Sequence, residues 1–156
     1  MKLIVVSVGN KMPGWVTTGF NDYVKRMPRE ARIELLEIKP ESRNTGKTVQ
    51  QIMAAEAQRI LSALPQNCLS IALDENGTPS TTLQLTNQMK NWMRTGCNVA
   101  FIIGGADGLH ASVKQAAKQQ LSLSSLTLPH AMVRILLAEQ LYRAHSMMHN
   151  HPYHRE

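Results

Sequence analysis

The chain has 156 residues and carries 17 lysines and arginines against 11 aspartates and glutamates, which gives a formal net charge of +6. This length suits one domain with a real core, the hydrophobic share of 43% excludes a disordered chain, and no apolar run reaches the ~20 residues of a membrane-spanning helix. The positive charge favours an anionic partner, most often nucleic acid, although a basic protein without such a partner is the alternative.

The N-terminal segment MKLIVVSVGN is typical of a buried first strand, predicted over residues 3–9. A signal peptide is not expected, because the apolar run is short and Gly9-Asn10-Lys11 breaks the pattern. We therefore expect a cytoplasmic protein. Cys68 and Cys97 fit that compartment, since they form neither a C-x-x-C nor a zinc-binding pattern and are expected to be buried thiols.

Strand and helix patterns alternate along the rest of the chain. Strands are predicted over residues 32–38, 68–74, 98–105 and 121–128, with a turn over 74–77. Helices are predicted from Pro13, over 48–64, from a Ser80 cap to Gly96, over 109–119 and over 131–148. This alternation, without repeat or linker, predicts a single α/β domain over residues 1–156 with a mostly parallel sheet flanked by helices.

A basic cluster follows the first helix pattern and consists of Lys25, Arg26, Arg29 and Arg32. It is either part of an RNA-facing patch or a solvated helix end, where cations also suit the helix dipole. Aromatic residues make up only 4% of the chain, which argues against a platform that stacks single-stranded bases. Binding through phosphates and shape fits this composition better.

The triplet Gly46-Lys47-Thr48 precedes a predicted helix and invites comparison with a phosphate-binding P-loop. The full motif requires a glycine at position 41, and Glu41 stands there instead. A carboxylate at that position would repel phosphate, so the P-loop is rejected.

Three predicted strand ends are candidates for a ligand site: Leu73-Asp74, Gly104-Gly105 and the turn over residues 123–130. The C-terminal ends of parallel strands lie on one side of a domain, where α/β proteins bind ligands. Paired glycines let a ligand approach the backbone closely, although a tight turn alone would also explain them. The segment GGADG is not the G-x-G-x-x-G of dinucleotide-binding proteins. A nucleoside without phosphates, held between leucines and read by backbone groups, fits better.

The C-terminal end of the chain is rich in histidine, with His145, His149, His151 and His154. A zincin would require glutamate at position 146, where Ser146 stands, so no metal is expected. The tail is either simply frayed or functional, because histidine, tyrosine and arginine side chains can donate to phosphate, stack on a base and exchange protons.

Five segments, KMPGWVTTGFNDYVKR, IIGGADGL, LSLSSLTLPHAMVR, AEQLYRAHS and NHPYHRE, together resemble the bacterial 23S ribosomal RNA pseudouridine N3-methyltransferases of the SPOUT superfamily. The resemblance runs from Met1 to Glu156, with mild departures such as Ala106-Asp107 and Met132. It implies a C-terminal trefoil knot, a homodimer, S-adenosyl-L-methionine as cofactor, and 23S rRNA within the assembled ribosome as substrate. Neither a metal nor a membrane is implied.

The resemblance also implies roles for individual residues. The methyl group is already activated on a sulfonium, so the protein has to align N3 of pseudouridine with it and help to remove the N3 proton. His130 and His154 are the candidate bases, with Tyr153 and Arg155 placing the base or the negative charge. Apart from the resemblance, Arg134 lies one turn into the last helix, where its charge opposes the helix dipole, and it is therefore expected to meet an anion, either the cofactor carboxylate or RNA phosphate. The residues expected to line the cofactor site are Leu73, Gly104, Gly105, Leu123, Ser124, Ser125, Leu126, Thr127 and Leu128.

Two other functions are left open. A non-catalytic, basic RNA-binding or ribosome-assembly module would not bind S-adenosyl-L-methionine, and a metal hydrolase that uses the histidines would contain a metal when purified. If the chain is the methyltransferase, we expect its tail to fold over the site when RNA binds, with His154 nearest to the proton transfer.

Overall fold

The computed structural model describes residues 1–153, so two of the predicted catalytic residues, His154 and Arg155, lie outside the described part. The strands are β1 (Lys2–Val8), β2 (Arg32–Ile38), β3 (Cys68–Pro79), β4 (Asn98–Ile103) and β5 (Gln119–Ser122). The helices are α1 (Gly14–Val24), α2 (Val49–Ala63), α3 (Thr82–Thr95), α4 (Ala111–Ala116) and α5 (His130–Met148), with a 3-10 turn over Arg29–Ala31. No helix in this part of the chain is long and apolar enough to cross a membrane.

The strands form one sheet in the order β2-β1-β4-β3-β5, and every neighbouring pair runs parallel. The predicted α/β domain with a mostly parallel sheet flanked by helices is therefore confirmed. Because the strands all point the same way, the loops that follow them lie along one edge of the sheet, which is the usual place for a ligand.

An apolar layer on each face of the sheet packs it against the helices. Alternate side chains of a strand point to opposite faces, so Leu3 and Val5 of β1 pack with α1, α3 and α5. Ile4 and Val6 pack on the other face with α2 and α4. Strands covered on both faces need apolar residues at nearly every position, which is the pattern that made β1 and β4 recognisable in the sequence.

Capping side chains and one glycine fix the ends of α2 and α3. α2 begins with a capping box at Thr48. α3 begins in the same way at Thr81 and not at the predicted Ser80, because Gln84 stands three residues after Thr81 and completes the box. Gly96 ends α3 in the left-handed conformation, with φ of 69°.

The strand predicted over residues 121–128 is wrong, since β5 ends at Ser122 and residues 123–129 form a loop. Ser122 Oγ donates to the carbonyl oxygen of Ser124 at 2.9 Å, and Ser124 Oγ accepts from the backbone N–H of Leu126 at 2.9 Å. Side chains that bond their own backbone in this way favour turns over strands. The helix predicted over 109–119 and the strand predicted over 98–105 are also shorter, at Ala111–Ala116 and Asn98–Ile103.

β3 is longer than predicted because the expected turn over residues 74–77 is a bulge within it. Leu73 and Thr78 both pair with Leu121 of β5, and the strand continues to Pro79. A Cβ on Gly77 would lie 2.9 Å from backbone atoms of Leu121, so a glycine is needed where the bulge returns to β5.

Candidate functional site

A cavity of about 810 Å³ opens where β3, β4 and β5 end. Its walls come from the β3 bulge, the turn after β4 and the loop before α5, which are the strand ends selected from the sequence. Every residue expected to hold the cofactor lines this cavity except Ser125, which is exposed. The lining members of that set are Leu73, Gly104, Gly105, Leu123, Ser124, Leu126, Thr127 and Leu128.

The turn after β4 requires its first glycine for a reason of packing. A Cβ on Gly104 would lie 2.6 Å from the carbonyl carbon of Gly108, which has a φ of +84°. The N–H of Gly108 donates to the carbonyl oxygen of Gly105 at 3.1 Å and closes the turn. Gly104 is therefore required by the tight turn, and it also lies in the cavity wall.

The β3 bulge and the loop over residues 123–129 hold one another in place. Thr127 Oγ1 donates to Glu75 Oε2 at 2.8 Å and so joins the two segments. Leu126, the residue before Thr127, lines the cavity and is 72% exposed. An exposed leucine at a cavity wall has apolar surface that a ligand can cover.

Carboxylates line the cavity at Asp74, Glu75 and Asp107. Lys114 Nζ lies 3.4 Å from Asp74 Oδ2, and Arg43 Nη2 lies 2.6 Å from Asp107 Oδ2. Neither Lys114 nor Arg43 could be assigned to the site from the sequence, because each lies in a segment distant in sequence from its carboxylate partner. The only available signal was that all these residues follow or flank the C-terminal ends of strands.

His130, the first residue of α5, lines the cavity as well. Burial lowers the pKa of its imidazole below the ordinary value of 6.5, and the positive charge of Arg134 lowers it further, while Glu56 acts in the opposite direction. The imidazole is therefore neutral at pH 7 and able to accept a proton.

Arg134, for which the sequence suggested a contact with the cofactor carboxylate or RNA phosphate, is buried and is not among the residues that line the cavity. Its guanidinium is buried and donates to Glu37 Oε2 at 3.0 Å, to Ser7 Oγ at 3.0 Å and to the carbonyl oxygen of Gly9 at 3.4 Å. The anion it meets is thus a carboxylate of this chain, and the contact attaches α5 to the ends of β1 and β2.

Tyr153 is not among the residues that line the cavity. Its hydroxyl donates to Glu139 Oε1 at 3.1 Å, and its ring packs against Tyr142 with 4.7 Å between centroids. Burial, together with hydrogen bonding to Tyr23 and the charge of Glu139, raises the pKa of Tyr153 well above its usual range. The structure therefore places His130 at the cavity but Tyr153 on the side of α5.

The histidines at the end of α5 do not assemble a metal site within residues 1–153. The rings of His145 and His149 lie 4.4 Å apart, but no group of three or more histidine, cysteine, aspartate or glutamate side chains in the described chain could hold a metal ion. The metal-hydrolase alternative has no geometric support in this part of the molecule.

The cavity is chemically suited to a nucleoside-like ligand that carries positive charge. Leucine side chains supply apolar walls, and the peptide groups of residues 104–108 and 123–128 supply donors and acceptors. The described lining holds a single lysine, Lys114, which is paired with Asp74. A phosphate group would meet carboxylates here, whereas a cation would be stabilised by them.

The comparisons with known proteins agree along the whole chain. A family model described as "Predicted SPOUT methyltransferase" matches residues 1–154. The chain is 59% identical over 155 residues to the ribosomal RNA large subunit methyltransferase H of Burkholderia thailandensis, with 99% of each chain covered. It is 57% identical over 155 residues to the proteins of the same name from Paraburkholderia phymatum and Nitrosospira multiformis, again with 99% of each chain covered.

Two solved structures are similar in fold. The "Probable Methyltransferase from Bordetella pertussis Tohama I" aligns with a TM-score of 0.60 at 19% identity, covering 91% of this chain and 95% of that chain. The "probable methylase family protein from Haemophilus influenzae Rd KW20" aligns with a TM-score of 0.59 at 14% identity, covering 99% of this chain and 70% of that chain. At these identities the likeness concerns the fold alone.

Proposed function

The chain belongs to the SPOUT methyltransferase family, and we propose that it transfers a methyl group from S-adenosyl-L-methionine to N3 of a pseudouridine in 23S ribosomal RNA. The observation that carries this proposal is the cavity built from Leu73, Gly104, Gly105 and residues 123–128. These are the positions that the sequence resemblance associates with the cofactor. The names of the relatives, which are large-subunit ribosomal RNA methyltransferases, support the choice of RNA.

The cavity lining fits this cofactor in its chemistry. The adenine would lie between leucine side chains, and peptide groups of residues 123–128 would bind its polar edge. The positive sulfonium and amino groups suit a cavity lined by Asp74, Glu75 and Asp107. A dinucleotide would place its phosphates beside the same carboxylates and fits less well.

When bound, the cofactor would supply a methyl group on a sulfonium, which needs no further activation. The residues around the cavity would have to hold the nucleobase with N3 directed at that methyl group. A base on this chain would have to take up the proton that N3 gives up when it is methylated.

His130 is the candidate base in the described part of the chain. It lines the cavity, and its lowered pKa keeps the imidazole in the form that accepts a proton at pH 7. His154 is the other candidate, with Tyr153 and Arg155 placing the base or the negative charge. Tyr153 bonds Glu139 of α5, and we propose that this bond breaks and the tail folds over the site when RNA binds.

We further propose that the protein acts in the cytoplasm as a homodimer on the assembled ribosome. The trefoil knot and the dimer rest on the resemblance, whereas the single domain over residues 1–156 rests on the alternation of strand and helix patterns. Light scattering of the purified protein tests the dimer, and retention of activity in EDTA tests the independence from metal.

The central experiment is transfer of labelled methyl from S-adenosyl-L-methionine to ribosomes that lack the modification, with free 23S RNA alongside. Label in a pseudouridine of the ribosome supports the proposal. Wild-type protein, His130→Gln and His154→Ala are compared, with the exposed His149→Ala as a control histidine. Undiminished label with His154→Ala would discard that residue as the base while keeping the enzyme.

A non-catalytic RNA-binding module is the second candidate, and the net charge of +6 is the observation that favours it. Folded protein that binds ribosomes but neither binds S-adenosyl-L-methionine nor transfers label would establish the module in place of the enzyme.

A further inference from the structure

The loop between β2 and α2, residues 39–48, is anchored more firmly than an exposed loop requires. Its centre is Glu41, whose carboxylate is 12% exposed and contacts Arg59 Nη2 at 2.5 Å and Lys47 Nζ at 3.1 Å. The backbone N–H of Glu41 donates to Glu56 Oε2 at 3.1 Å, and Arg59 Nη1 donates to the carbonyl oxygen of Lys39 at 2.8 Å. The loop is thus tied to α2 at several points.

This anchoring places Arg43 beside the mouth of the cavity. Arg43 Nη2 lies 2.6 Å from Asp107 Oδ2, and Asp107 belongs to the turn that lines the cavity. The side chain of Arg43 is nevertheless 47% exposed. Asp107 is its only ion-pair partner among the described residues, so part of its fork of N–H donors is left to solvent.

We propose that Arg43 binds a phosphate of the substrate RNA next to the methylated nucleotide, with Asp107 holding the guanidinium and Glu41 holding the loop that carries it. The inference rests on the proposed function, because it takes RNA as the molecule that enters the cavity mouth. A guanidinium presents several donors in one plane and matches the oxygens of a phosphate.

The position of Arg43 argues for RNA and against the cofactor as its ligand. Arg43 is outside the cavity lining, and S-adenosyl-L-methionine carries no phosphate. The net charge of +6 also favours a polyanion. The basic cluster noted in the sequence is less suited to this task, because Arg26 pairs with Asp22 and Arg32 with Glu34, on elements outside the cavity wall.

The test compares Arg43→Ala and Arg43→Lys with wild type, and uses Arg94→Ala as the matched control. Arg94 lies on α3, outside the cavity lining, and bonds only Asn91 in the described chain. Binding to unmodified ribosomes is measured by sedimentation over a range of salt concentrations. Cofactor binding is measured by calorimetry, and methyl transfer is measured in parallel.

For Arg43→Ala we expect ribosome binding to weaken about tenfold and its dependence on log salt to become shallower by about 0.7–0.9. Cofactor affinity should stay as in wild type. Arg43→Lys should recover the salt slope and part of the affinity, because it keeps the charge without the planar fork. Glu41→Gln should weaken binding at a wild-type salt slope, because it loosens the loop and leaves Arg43 charged.

Wild-type ribosome affinity and salt slope in Arg43→Ala would overturn the proposal, as would an equal loss in Arg94→Ala. The proposed function can fail separately. If wild type transfers no methyl group but Arg43→Ala still loses ribosome affinity, the phosphate contact stands and the catalytic assignment is wrong. If wild type does not bind ribosomes at all, both are wrong.

Discussion

Arg134 of α5 donates from Nη1 to Glu37 Oε2 of β2 at 3.0 Å, across 97 residues of sequence. The arginine side chain is 3% exposed, whereas that of Glu37 is 38% exposed. A second bond joins Nη2 to Ser7 Oγ at 3.0 Å. Because His130 lies one turn earlier on the same helix, this attachment to β1 and β2 also fixes the position of His130 at the cavity.

Replacing Arg134 by alanine is expected to lower the free energy of unfolding by about 3 kcal/mol, because the packing of a buried side chain is lost and Ser7 Oγ and the carbonyl oxygen of Gly9 lose their donor. Glu37→Gln should cost about 1 kcal/mol, since the amide keeps an acceptor oxygen and the site is partly hydrated. Urea unfolding of both variants measures the difference. If both variants lost the same free energy of unfolding, the buried guanidinium would contribute no more than its bond to Glu37.

Gly104→Ala is expected to weaken cofactor binding by about tenfold or more, equivalent to ~1.4 kcal/mol. The added Cβ would lie 2.6 Å from the carbonyl carbon of Gly108 and 2.7 Å from its oxygen, so the turn that forms the cavity wall has to move. Gly14→Ala is the control, because a Cβ there meets nothing within 4 Å. Calorimetry with S-adenosyl-L-methionine measures both, and unchanged affinity in Gly104→Ala would contradict the assignment of this turn to the cofactor.

How far the sequence predicts this molecule depends on the range of the interactions. β1 and β4 were predictable because strands covered on both faces must be apolar throughout. The loop over residues 123–129 was not, because alternating leucine and serine has the same period of two as a strand, and only local bonds such as Ser124 to Leu126 decide against one.

In the site, too, some features could be predicted from the sequence and others could not. The strand ends that form the cavity follow from the geometry of any parallel sheet, so Leu73 and the glycine pair could be selected before the fold was known. The pairs Arg43–Asp107 and Arg134–Glu37 could not. A charged residue in a sequence does not specify its partner, and the topology alone brings these segments together.

Leu126→Ala is expected to weaken cofactor binding by about threefold to tenfold, since apolar surface that the ligand would cover is lost. The free energy of unfolding should change by less than about 0.5 kcal/mol, because a side chain that is 72% exposed adds little to the core. Leu83→Ala is the control, on a leucine that is 51% exposed on α3 and outside the cavity lining. If both variants bind alike, Leu126 does not contact the cofactor.

Acidification is expected to act on stability through His130 and His145. Burial lowers the pKa of both imidazoles below 6.5 in the folded protein. As the pH falls, these histidines take up protons in the unfolded chain before they do so in the folded protein. Their contribution to the free energy of unfolding is therefore fully present above pH 6.5 and is lost as the pH falls through the lower folded-state pKa values. Urea unfolding between pH 7 and 5 should show a smaller decline in His130→Gln and in His145→Gln than in wild type. An equal decline in all three proteins would contradict the burial of these rings.

The same titration identifies the base. The charged groups that act on His130 are Arg134 on its own helix, Glu56 on α2 and Arg43 of the loop before α2. Burial, followed by the charges of Arg134 and Arg43, favours the neutral ring and Glu56 opposes it, so an NMR titration of the His130 ring should give a pKa below 6.5. If His130 accepts the N3 proton, single-turnover methyl transfer should fall on the acid side with that pKa, and His130→Gln should remove this dependence along with most of the rate. A variant that keeps the acid limb and the rate would exclude His130 and leave His154 as the candidate base.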